Sequence, residues 1–90
     1  MHSEDDTSLS AYPNPVARQL FVHVRAGNYP EVRLSLMNAS GRVVKSQTYL
    51  GLQEGANTLT LDVDDLTNGV YWLRVERGSR KQARSIVVLK

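Results

Sequence analysis

His2 and His23 are the only side chains in this 90-residue sequence suited to moving a proton near neutral pH. A general base needs a nucleophile or substrate within hydrogen-bond reach and a third group to orient it. His2 lies in the polar leader MHSEDDTSLS, and His23 falls on the polar face of an alternating stretch, where it reads as a solvated residue. The serines occur in no G-x-S-x-G turn, and no glycine-rich phosphate loop is present. Cysteine is absent, which removes thiolate nucleophiles, disulfides and Cys-based zinc sites together. These residues predict no enzyme, no cofactor and no metal.

Two other groups have chemical potential. Asp62, Asp64 and Asp65 resemble part of a calcium loop, but the glycine and glutamate such a loop requires fall on Thr67 and Leu73 when counted from Asp62. Aspartates in this setting usually bond their own backbone, so the cluster reads as a turn cap. Trp72, the single tryptophan, alternates away from the face of Tyr71. It reads as a residue packed beneath a neighbouring loop; left exposed, it has the chemistry to stack on a sugar ring.

Net charge is only +2, yet Arg74, Arg77, Arg80, Lys81, Arg84 and Lys90 crowd the end of the chain against one acid, Glu76. The plain reading is a solvated hairpin face, and the sharper one a docking surface for an acidic partner. No aromatic is interleaved between Arg77 and Lys90, so single-stranded nucleic acid is a poor fit. No apolar run approaches bilayer length, and the leader lacks the apolar centre of a secretory signal.

The elements that carry these residues follow period two. Leu20, Val22 and Val24 share one face, as do Val32, Leu34 and Leu36, then Leu59, Leu61 and Val63, then Tyr71, Leu73 and Val75. Leu9–Tyr12 opens the series, a fourth strand runs from about Arg42 to Tyr49, and a last from about Gln82 to Leu89. AGNYP (26–30), NASG (38–41), GLQEGAN (51–57), DDLTNG (64–69) and RGSR (77–80) separate them as turns and loops, with Gly41 free to take positive φ. Short alternating segments at this spacing predict an all-β fold, a seven-stranded antiparallel immunoglobulin-like β-sandwich over residues 9–90, preceded by a flexible polar linker at residues 1–8. The stretch LTNGVY has the layout of a tyrosine corner, in which the Tyr71 hydroxyl bonds backbone a few residues upstream. YPNPV stands at the head of the sandwich, and its prolines cannot donate to a sheet ladder.

Four motifs in order, namely YPNPV, LSLMNASGRVV, the G-x-N-x-L-x-LDV…L-x-x-GVY-x-LRVE stretch and the closing K-x-x-R-x-IVVLK, resemble a type IX secretion C-terminal sorting domain. Such domains end cargo proteins of Bacteroidetes. The resemblance spans Leu9 to Lys90. It implies a non-catalytic signal within a larger cargo protein, folded in the periplasm, then recognised by an outer-membrane translocon and its shuttle protein. It implies cleavage by a sortase-like protease within or before the leader, leaving cargo on the cell surface or secreted, with no nucleic acid bound and no membrane insertion. The recognition residues it implies are Tyr12, Pro13, Asn14 and Pro15 at the opening, Asn38 and Gly41 at the hairpin, Gly69 and Tyr71 at the corner, and Lys81, Arg84 and Lys90 at the close. Lysine is common in the family where Arg84 stands, and the two are not equivalent at bidentate contacts. A fibronectin type III-like adhesion or carbohydrate-binding module is the alternative that Trp72 and the loops suggest.

Overall fold

The computed structural model describes residues 9–25, 31–53 and 55–90; the linker expected at 1–8 and the turn expected at 26–30 lie outside the described residues. Seven strands form: β1 (Ser10–Tyr12), β2 (Gln19–Arg25), β3 (Val32–Met37), β4 (Val43–Tyr49), β5 (Ala56–Asp62), β6 (Gly69–Arg77) and β7 (Arg80–Val88). They assemble into a three-stranded sheet, β1-β2-β5, and a four-stranded sheet, β4-β3-β6-β7, with every strand pair antiparallel. This is the two-layer sandwich that the alternation predicts. Its fourth strand lies beside β3, rather than beside β5 as in a constant-type immunoglobulin domain.

The core forms where the predicted inner faces meet. Leu20, Val22, Val24, Leu59 and Leu61 come from one sheet, and Val32, Leu34, Leu36, Tyr71, Leu73, Val75, Ile86 and Val88 from the other, all buried. Leu9, Val16 and Val63 fill the edges of the same cluster. A residue such as Leu34 or Leu73, fully buried here, loses about 2–5 kcal/mol on truncation to alanine.

Three strands are longer than their patterns suggest. β5 begins at Ala56 because Asn57 and Thr58 continue the ladder with Val24 and His23. β6 and β7 extend to Arg77 and Arg80, which leaves only Gly78 and Ser79 as the turn. Ser35 alternates outward yet is buried, because β3 runs between β4 and β6 with neighbours on both sides.

The β4 edge is protected by the means expected of an exposed sheet edge. A bulge interrupts its ladder between Leu36 and Met37. Lys45 sits opposite the inward-facing Leu36, largely covered, and pairs with Asp65 at 2.9 Å. Tyr49 donates its hydroxyl hydrogen to the Thr60 carbonyl, tying β4 to β5 across the layers, and burial raises its phenol above the ordinary value.

Candidate functional site

The two ends of the motif series, far apart in sequence, meet along one edge of the four-stranded sheet. β1 pairs with β2 in the three-stranded sheet: Ser10 lies opposite His23 and Tyr12 opposite Phe21. Four residues after Tyr12, Val16 has changed sheets and bridges Val88 in parallel. Val16 donates its N–H to the Val87 carbonyl at 2.8 Å and accepts the Leu89 N–H at 2.9 Å.

Pro13 and Pro15 occupy the crossing, and the peptide bonds preceding both are cis. Neither can donate a backbone hydrogen. The Asn14 side chain serves the ladder instead. Its Oδ1 accepts the Val87 N–H at 2.9 Å, and its Nδ2 donates to the Ser85 carbonyl at 3.3 Å. One carboxamide thus supplies the acceptor and donor that a strand residue would present to β7. A little further along, Arg84 donates from Nη2 to the Leu9 carbonyl at 2.9 Å. Ser10, Ala11, Asn14, Arg84, Ser85 and Ile86 line a shallow cleft of about 290 Å³ on this seam.

Tyr12 is held from the outer side. Its hydroxyl shares a 2.6 Å hydrogen bond with His23 Nε2, and its ring centroid lies 5.8 Å from that of Phe21. His23 Nδ1 in turn lies 3.0 Å from the Thr58 hydroxyl. His23 is therefore a half-buried link between two hydroxyls, a correction to its reading as a solvated residue.

A second cluster forms at one end of the sandwich. Tyr71 donates its hydroxyl hydrogen to the Thr67 carbonyl at 2.7 Å, four residues upstream, which is the predicted corner. Gly69 precedes it at φ 157°, a backbone region that side chains disfavour. Opposite, the Asn38 Oδ1 accepts the N–H groups of Ser40 at 3.1 Å and Arg42 at 3.0 Å, closing the hairpin, with Gly41 at φ 86°. Hairpin and corner together line a cleft of about 230 Å³ that includes Asn38, Gly69 and Tyr71. Lys90 reaches the same end: its N–H bonds the Asn68 side chain at 3.0 Å, and its ammonium bonds the Asp64 carbonyl.

The proposed recognition residues thus fall into two groups and an outlier. Tyr12, Pro13, Asn14, Pro15 and Arg84 share the seam; Asn38, Gly41, Gly69, Tyr71 and Lys90 share the corner end. Lys81, opposite Glu76 beside the β6–β7 turn, belongs to neither.

The basic run does not form a single docking face. Arg77 is buried, donating to the Arg25 carbonyl and, at 2.8 Å, to Gln82 Oε1. Arg84 and Lys90 bond backbone within the domain, while Arg74 lies 3.6 Å from Glu76. In the aspartate cluster, Asp62 Oδ1 accepts the Asp64 N–H at 2.9 Å, the turn cap that its residue type predicts. The Lys45 hydrogen bond holds the Asp65 carboxyl below its ordinary value. Among the described residues no group of three or more His, Asp or Glu stands close enough to hold a metal, and no helix is long and apolar enough to cross a membrane. Trp72 lies on the outer face of β6 with 46% of its surface exposed, rather than packed beneath a loop.

Sequence reasoning passed over Val16, Thr67, Asn68 and the backbone of Ser85 and Val87. Val16 carried a signal as the apolar residue directly after the second proline, and the corner layout pointed to the backbone near Thr67 without singling it out.

The model of the family described as secretion system C-terminal sorting domain matches residues 10–89, and the chain belongs to that family, as a type IX sorting signal carried by exported cargo. Nothing matches among curated proteins.

Proposed function

We propose that the folded sandwich itself, rather than a linear terminal peptide, is what the type IX machinery reads. The outer-membrane translocon and its shuttle protein engage it in the periplasm of a Bacteroidetes cell. A sortase-like protease then cuts ahead of Leu9, and the cargo remains on the surface or is released. The domain acts as substrate and signal, with no catalytic step of its own.

The observation that carries this reading is the seam. The closing segment pairs with β6 on one side and shares hydrogen bonds with the YPNPV motif through Asn14 and Val16 on the other, so its outer edge is covered when the opening motif has folded against it.

The test is export of a periplasmic reporter fused to residues 9–90 in a host carrying the translocon. The fusion is expected outside the cell, and a version lacking residues 80–90 is expected to stay in the periplasm. Retention of the intact fusion would refute the proposal.

A further inference from the structure

The outer face of the four-stranded sheet carries an apolar patch that the fold does not use. Strand register places Val43, Met37 and Trp72 side by side on β4, β3 and β6. Val70 and Val87 are paired in the next row toward the corner. Val43, Val70 and Trp72 are about half exposed, at 51%, 49% and 46%, although each is apolar. With strands about 4.8 Å apart and same-face residues about 6.7 Å apart, the five form one continuous surface. The cleft between hairpin and corner opens beside it and includes Val70 in its lining.

The rest of this face is basic. Two rows beyond Trp72, Arg33, Glu76 and Lys81 stand side by side, and Arg74 lies between that row and Trp72. Three cations surround one carboxylate. Tryptophan at the centre of an exposed patch is the residue type that most often anchors protein partners. A second copy laid face to face in register would oppose cation to cation, and the face offers only Glu76 against Arg33, Arg74 and Lys81, so the charge favours an acidic partner instead.

We infer that the Trp72 face is the docking surface for an acidic segment of the secretion machinery that carries an aliphatic or aromatic anchor. The anchor sits on Val43, Met37, Trp72 and Val70, and its flanking carboxylates meet Arg33, Arg74 and Lys81. This rests on the sorting reading and names the part of the domain that is touched. It differs from the seam and the corner, whose polar groups are engaged inside the fold.

Two measurements test it. In the reporter host, Trp72→Ala and Arg74→Glu are each expected to lower export about tenfold or more while the unfolding midpoint stays near that of the parent. Full export of both variants would overturn the inference and leave the sorting reading intact; retention of the unaltered fusion would count against the sorting reading instead. The second measurement needs no host. Trp72 is the only tryptophan, so its fluorescence reports on the patch directly. A synthetic peptide of alternating Glu and Leu is expected to shift the emission saturably, and the shift should vanish in Arg74→Glu and in about 0.5 M salt. An unchanged emission overturns the inference. So does a shift that appears with protein concentration alone, which points to a second copy, or one produced by neutral oligosaccharide and insensitive to Arg74→Glu, which points to a sugar.

Discussion

The Asn14 side-chain oxygen accepts the backbone N–H of Val87 at 2.9 Å, joining residues 73 positions apart. With the donor bond from the same carboxamide to Ser85, it completes an edge that two prolines would otherwise leave open.

Asn14→Ala removes both bonds at once. A stability loss of about 1–2 kcal/mol is expected, because the Val87 N–H loses its partner at the seam. Amide exchange at Val87 should accelerate well beyond that at Leu34. Equal protection of Val87 in parent and variant would show that the carboxamide bond is not formed in solution.

Tyr71→Phe leaves the ring in place and deletes one hydroxyl. The Thr67 carbonyl loses its 2.7 Å donor. The denaturation midpoint should fall by the equivalent of about 1 kcal/mol. An unaltered midpoint would mean that the corner contributes nothing.

Gly41→Ala tests backbone conformation alone. A Cβ at this position meets nothing within 4 Å, yet φ is 86°. The cost is therefore conformational, about 1–2 kcal/mol. Urea unfolding should show that loss with an unchanged slope; a neutral result would place the hairpin in another turn type.

Acid should remove what the Lys45–Asp65 pair contributes. The hydrogen bond from Lys45 depresses the Asp65 carboxyl below its ordinary value of 3.8. A depressed folded-state value means that the stabilisation is present above the unfolded pKa and fades as pH falls through the lower folded one. The difference in thermal midpoint between the parent and Asp65→Asn should therefore be visible at pH 6 and shrink as the pH falls past the ordinary value of 3.8 and through the lowered folded one. A gap that widens in acid would contradict the pairing.

Alternation alone located the core of the sandwich. Leu20, Leu34, Leu61 and Leu73 all lie at zero exposure on the faces that period two assigns them. What it could not reveal was any polar residue whose direction depends on the opposite sheet. Arg77 alternates with Val75 onto the inner face, and there it finds the Arg25 carbonyl from a strand distant in sequence. Tyr12 stands in a legible motif, but its link to His23 depends on the pairing of β1 with β2. Asn14 is the sharpest case. Its proline neighbours argue for an extended edge or crossover, where it does lie, but not that its side chain bonds β7. Contacts spanning most of the chain leave no trace in a local period.

The parallel bridge of Val16 to Val88 also has a mechanical consequence. Were the chain pulled from its N-terminal side and from the far end of β7, these neighbouring segments would be loaded along their own length. The bonds from Asn14 and Val16 would then share the strain together, instead of opening one after another like a zip.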